Sequence, residues 1–167
     1  MPESIQHILK ILEVEGTSSI NWDRILSETL KTFECTTGSI HALDPLNNTL
    51  HIKASQGIPE FLLLKMSLIP VGKGMAGVAA LRLEPVQMCN LQTDDSGIAR
   101  PSAKETKVEG AIAAPIMFEG KLYGTLGIAK SIPYDFTEDE INSLMKIGER
   151  IAMILSRFHD INHRSLY

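Results

Sequence analysis

The run Val71-Gly72-Lys73-Gly74-Met75-Ala76-Gly77-Val78-Ala79-Ala80 lies mid-chain, and its reading decides the fold. Its glycines satisfy G-x-G-x-x-G, the fingerprint that cradles a dinucleotide pyrophosphate at a helix N-terminus. That fingerprint works between a strong parallel strand and a long helix, with an acid about 20 residues on, after a second strand. Here the preceding Ser67-Leu68-Ile69-Pro70 is short, and Pro70 cannot donate to a sheet ladder. The helix that follows has room for about three turns before Glu84-Pro85. The next strand, Pro85 to Cys89, ends in Asn90 instead of an acid. A dinucleotide site is therefore not expected. A tight turn remains, offering backbone amides at a helix start to an anion or a carbonyl. The same glycines also suit a plain connection that needs positive φ.

Outward from the turn, periodicity sets the other elements. Ile5, Ile8, Leu9 and Leu12 predict a first helix over Glu3 to Val14, stopped by Gly16. Ser18, Ser19 or Asn21 caps a second, carrying Trp22, Ile25, Leu26, Leu30 and Phe33. Ile40 and Ala42, the turn Asp44 to Asn48, then Leu50, Ile52 and Ala54 predict a hairpin. Pro59 opens a short helix to Ser67. Asn90 to Glu109 is a long polar segment, and loops of that length in compact domains are usually functional. Strands Gly110 to Phe118 and Leu122 to Lys130 meet at Glu119-Gly120. Thr137-Glu138-Asp139-Glu140 is a capping box opening a last helix to about Phe158, followed by a polar tail from His159. Short hairpins demand antiparallel neighbours. The class is α+β, with a central, mainly antiparallel sheet of about six strands. Terminal helices cover one face.

The 167 residues suit one domain, with a core over about 17–158, an N-terminal helix within 1–16 and the tail at 159–167. A net charge of −4 with scattered basic residues argues against nucleic acid as partner. No apolar run is long enough to span a bilayer, and the start lacks a signal-peptide pattern, so neither membrane nor export is expected. Cys35 and Cys89 are far apart, as in reduced cytoplasmic proteins. The hairpin pattern places His41 opposite His51, but no third ligand completes a metal site.

An ordered series of segments resembles the GAF domain family. Ile69 to Ala79, with Glu84-Pro85-Val86 about a helix later, is similar to its central segment. Asn90-Leu91-Gln92-Thr93-Asp94 resembles the start of its variable lid. Ala113-Ala114-Pro115-Ile116 with Tyr123-Gly124-Thr125-Leu126-Gly127-Ile128 resembles its penultimate hairpin, and Phe136 to Glu140 its last helix start. The resemblance covers Trp22 to Leu155 and implies a sheet with terminal helices on one face and a ligand pocket on the other. Members that bind cyclic nucleotides contact ligand at positions matching Ser39, Ser55, Gln56, Gly74, Met75, Ala76, and the lid's Lys104, Thr106 and Val108. Those members also carry Asn-Lys followed by Phe-x-x-x-Asp-Glu. This chain has Ala129-Lys130, and only two residues separate Phe136 from Asp139, which argues against a cyclic nucleotide.

The family's free methionine sulfoxide reductases carry a cysteine in the glycine turn and a nucleophile after an Ile-Ala pair. Here those positions are Ala76 and Arg100. The lid also lacks the cysteine and histidine that tetrapyrrole attachment needs. The resemblance thus implies a free-standing, non-catalytic sensor domain without cofactor, whose neutral polar contacts suit a modest polar small molecule. A ligandless dimerisation module and a reductase-like enzyme are the alternatives. The last helix shows two apolar seams: Ile141, Met145, Gly148, Ala152 and Leu155, and Leu144, Ile147, Ile151, Ile154 and Phe158. One seam covers the sheet; the second, Leu144 to Phe158, is expected to pair with another copy through a helical bundle, the alternative being that the first helix covers it within one chain.

Overall fold

Asn21, not the earlier serines, starts the second helix: its Oδ1 accepts the Arg24 amide at 3.2 Å. The computed structural model describes residues 2–15 and 19–165, so the expected Gly16 stop and Ser18 cap lie outside it. In chain order the elements are α1 (Pro2–Glu15), α2 (Trp22–Thr32), β1 (Thr37–Asp44), β2 (Thr49–Gln56), α3 (Glu60–Met66), β3 (Leu68–Pro70) and α4 (Gly74–Arg82). There follow β4 (Val86–Met88), α5 (Pro101–Glu105), β5 (Ala111–Phe118), β6 (Lys121–Ala129) and α6 (Glu138–Ser165). The six strands form one sheet in the order β3-β2-β1-β6-β5-β4, every pair antiparallel. The run broken by Pro70 is a true strand after all. It lies at the sheet edge, where a missing N–H is tolerated.

One sheet face carries bulk. Ile40, Ile112, Ile116, Leu126 and Ile128 pack beneath α1, α2 and α6 in a single apolar cluster. The opposite face of the same strands carries Ser39, Ala111, Ala113, Gly127 and Ala129. Alternation along a strand sends neighbours to opposite faces, so one stretch of chain builds a filled layer and an underfilled one.

The capping box at α6 forms as expected. The Glu140 amide donates to Thr137 Oγ1 at 3.1 Å, and the Thr137 amide donates to Glu140 Oε1 at 2.9 Å. The helix runs on to Ser165, so most of the segment expected to be a polar tail is helical.

The dimer seam requires correction. Leu144, Ile147, Ile151 and Ile154 are each at most 2% exposed within the single chain, packed with Ile5, Ile8, Leu9 and Leu12 of α1 and with the sheet. Phe158 is half-buried against the same cluster. Gly148 admits the sheet instead of a second helix: a Cβ there would stand 3.3 Å from the Pro115 carbonyl oxygen. The second seam is thus covered by α1.

The first hairpin also departs from simple alternation. Ile40 pairs with Ala54 but His41 pairs with Ile52, leaving Lys53 as an extra residue. This bulge flips the phase of β2. Ala54 joins the layer under the terminal helices, whereas Leu50 packs with Ile69 and Ala80 on the other side. His41 and His51 are therefore not opposite one another: His51 stands across from Ala42 and reaches Asp44 Oδ2 at 3.7 Å.

Lys130, just past the end of β6, is 8% exposed. Its Nζ donates to the carbonyls of Phe33 at 2.7 Å and Glu34 at 3.1 Å and sits 4.5 Å from the Tyr134 ring centroid. A cation satisfying carbonyls just past a helix C-terminus is favoured by the helix dipole. This lysine ties the far end of α2 to the sheet.

Ile151→Ala is expected to cost about 2–5 kcal/mol, the usual range for emptying a filled core position. Urea unfolding at several protein concentrations checks this. An internal seam gives a loss that does not change with concentration, whereas a seam between copies gives one that does.

Candidate functional site

Small residues leave room on the underfilled face. Ala111 lies opposite Ala129, Ala113 opposite Gly127, and Ser39 on the other side of Gly127. Together they floor a cavity of about 120 Å³. Its walls come from Ile58, Met66 and Ile69 around α3 and β3, from the turn at Lys73 to Ala76, and from Leu91, Arg100, Ala103, Thr106 and Val108 of the long loop.

Each turn glycine has a geometric reason. Gly72 and Gly74 sit at φ of +96° and +68°, a region costly for residues with a side chain. Gly77 sits where a Cβ would be 2.6 Å from the Pro70 carbonyl oxygen, so α4 presses directly on β3. The turn is fastened by the Gly72 amide donating to Gly77 O at 2.7 Å and the Lys73 amide donating to Pro70 O at 3.1 Å. α4 has no side-chain cap, and its intrahelical bonds begin with the Gly77 amide. The amides of Gly74, Met75 and Ala76 thus have no partner among the described residues, and all three residues border the cavity.

The long loop, residues 90–109, closes the cavity as a lid. The Leu91 amide donates to Glu109 O at 2.7 Å and brings its ends together. Inside it, Gln92 Nε2 donates to Lys104 O at 3.0 Å and Val108 O at 2.8 Å, and Lys104 Nζ to Asp94 O at 3.2 Å. Ile98, Ala99 and Ala103 pack on Met88, Leu91 and Val108. A Lys65–Glu105 ion pair of 3.9 Å joins α3 to α5, although both side chains are exposed and such a pair adds little.

Of the expected ligand contacts, Ser39, Gly74, Met75, Ala76, Thr106 and Val108 all line the cavity. Ser55, Gln56 and Lys104 do not. Ser55 is across from Ser39 on β2, Gln56 is exposed at the strand end, and Lys104 turns back to the lid backbone. Sequence reasoning missed His41, Arg100 and the alanine floor. Small residues alternating with isoleucine in β5 were the available signal.

His41 is 1% exposed, lines the cavity, and has its Nε2 2.8 Å from the Met66 carbonyl. A carbonyl only accepts, so Nε2 carries the proton, and Nδ1 is left as an acceptor when the ring is neutral. Burial holds the His41 pKa below its ordinary value, outweighing the Met66 bond that favours the charged ring. Arg100 packs on the turn: a Cβ at Gly74 would stand 3.1 Å from its Cδ.

Neither cysteine lines the cavity. Cys35 is in the apolar layer under the terminal helices, where burial pushes its thiol up to about 11. Cys89 is exposed at the end of β4. Among the described residues, no group of three or more potential ligands is placed to hold a metal, and no helix is long and apolar enough to cross a membrane.

The family model for the GAF domain matches residues 22–156. The chain belongs to the GAF domain family. Its GAF fold is similar to that of a phosphoenolpyruvate-protein phosphotransferase GAF domain from Acinetobacter, with 20% identity, 95% of this chain and 94% of that chain covered, and a TM-score of 0.77. The corresponding domain from Coxiella burnetii aligns at 19% identity over 96% and 98% of the two chains, TM-score 0.77. The free methionine-R-sulfoxide reductase of Neisseria meningitidis, solved in complex with its substrate, aligns at 15% identity over 92% and 88%, TM-score 0.72. No curated protein sequence matches the chain. At such identities the likeness is one of fold, and this GAF fold accommodates an enzyme as well as other domains.

Buried, neutral His41 makes the GAF domain acid-sensitive. Its folded pKa is depressed, so below the unfolded value of about 6.5 the unfolded chain binds more protons. Its contribution is complete above that value and is lost as pH falls toward the folded one. Unfolding free energies from urea titrations between pH 7.5 and 5 are expected to fall more steeply for the unaltered chain than for His41→Gln, by at most about 1.4 kcal/mol per pH unit.

Proposed function

We propose that this GAF domain is a regulatory module that binds a small molecule beneath its lid and does not catalyse a reaction. The observation that carries the reading is the cavity of about 120 Å³, bordered by three partnerless amides at the start of α4. Pre-formed concave sites with a few converging polar groups are where small ligands bind. The volume is close to the ~150 Å³ apolar cavity that takes up benzene, so the part of an occupant held inside it is small.

The non-catalytic part rests on the placement of the thiols. Reductase chemistry requires a reactive thiolate at the substrate, whereas Cys35 lies on the far face of the sheet with its proton held tightly.

Signal would pass through the thickness of one strand layer. Ser39, Ala111 and Gly127 touch the cavity, and their neighbours Ile40, Ile112 and Leu126 pack under α1 and α6. A ligand that favours the closed lid shifts the population toward one packing of those helices, by no more than its affinity difference between the states.

Hydrogen exchange of the unaltered chain, with and without each member of a metabolite panel, tests this. The expected result is protection of residues 90–109 and of the amides at Gly74 to Ala76 by at least one compound, with a change in α6. Exchange unmoved by every compound rules the module out as a small-molecule sensor.

A further inference from the structure

Lys73 and Arg100 border the cavity, as does Lys65, which is paired with Glu105, and no aspartate or glutamate lines it. For a chain of net charge −4 this is a local reversal of sign. Two of the anion-seeking features converge. Arg100 folds its methylenes over Gly74, the first of the three residues whose amides lack partners. Its guanidinium makes no hydrogen bond or ion pair among the described residues, although it presents five donors suited to a carboxylate. Amides at a helix start add donors and a favourable dipole.

His41 supplies the opposite requirement. It is buried, borders the same cavity, and has its side-chain hydrogen bond among the described residues at Nε2, to the Met66 carbonyl. Nδ1 is therefore an acceptor without a partner among the described residues, and a ligand that fills the cavity must donate to it or leave it unsatisfied. Most of the remaining surface is apolar, from Met75, Leu91, Ile69 and Val108 over the alanine floor, with hydroxyls of Thr37, Ser39, Ser102 and Thr106 at its border.

Resting on the binding role argued above, we propose that the ligand is a small hydroxy-carboxylic acid with an apolar remainder. Its carboxylate meets the α4 amides and Arg100, and its hydroxyl donates to His41 Nδ1. A zwitterionic amino acid fits less well, because its ammonium would add a positive charge beside Lys73 and Arg100.

Titration calorimetry on the full chain at pH 7.5 with 2-hydroxy-3-methylbutanoate, 3-methylbutanoate, its methyl ester, valine and toluene tests this without any substitution. The hydroxy acid is expected to bind about tenfold more tightly than the plain acid, and the ester and valine more weakly than either. Arg100→Gln is expected to weaken both acids about tenfold. His41→Leu should erase the hydroxyl preference, while His41→Gln, which keeps a donor for Met66 and an acceptor for the ligand, should retain it. Circular dichroism verifies that each variant is folded. Equal binding of the two acids overturns the hydroxyl contact, and valine or the ester binding best overturns the anion site. Toluene binding while both acids fail overturns the acid but leaves the cavity a binding site. Failure of all five, together with unmoved lid exchange, removes the binding role as well.

Discussion

Everything on the lid side of this protein hangs from the contact between Gly77 and the carbonyl of Pro70. A helix backbone can come this close to a strand only where no Cβ intervenes, since that atom would lie 2.6 Å from the oxygen. The contact fixes the start of α4 against β3, and two further turn bonds, from the Gly72 and Lys73 amides, hold the approach. Gly74 at positive φ then redirects the chain so that the first amides of the helix border the cavity. A strand, a bend and a helix start are thereby locked into one rigid unit. Rigidity is what a binding site needs from its donors, because flexible ones must be ordered by the ligand at an entropic cost.

The rest of the architecture follows from how the sheet divides its residues. Isoleucine and leucine on one face close the layer under α1, α2 and α6, and this closure gives the chain its core. Alanine, glycine and serine on the other leave a layer that α4 and the lid cover without filling. The packed core and the cavity are in this way assigned to opposite faces, joined through the strands they share. The thiols obey the same division. Cys35 is in the stabilising layer, where burial suppresses its ionisation, and so is withheld from the side on which a reactive group would matter.

Much of the fold was legible because its strongest signals are local. Helical spacing marked α1, α2 and α6, the Thr137 capping box marked a helix start, and Glu119-Gly120 marked the last hairpin. The GAF resemblance supplied the layering, with terminal helices on one sheet face and a pocket on the other, which periodicity alone does not reach. The site was legible wherever it is backbone, at Gly74 to Ala76, and at Ser39, Thr106 and Val108. It was illegible where tertiary geometry intervenes. Lys53 looks like any strand lysine, yet as an inserted residue it flips β2 and sends His41 and His51 to different surroundings. Arg100 read only as the absence of a nucleophile, since its packing on Gly74 depends on how a long loop folds back. The Leu144 seam looked unclaimed because the reach of α1 across it is a property of packing, not of pattern.

Lys130 gives the molecule an internal chemical marker. Its ammonium is held by two carbonyls and an aromatic face and is nearly sealed from water. Amine-directed acylating reagents, which label exposed lysines such as Lys31, Lys107 and Lys146 from the folded surface, can reach it only after α2 parts from the sheet. The rate at which that one side chain becomes modified would count openings of the core, separately from any movement of the lid.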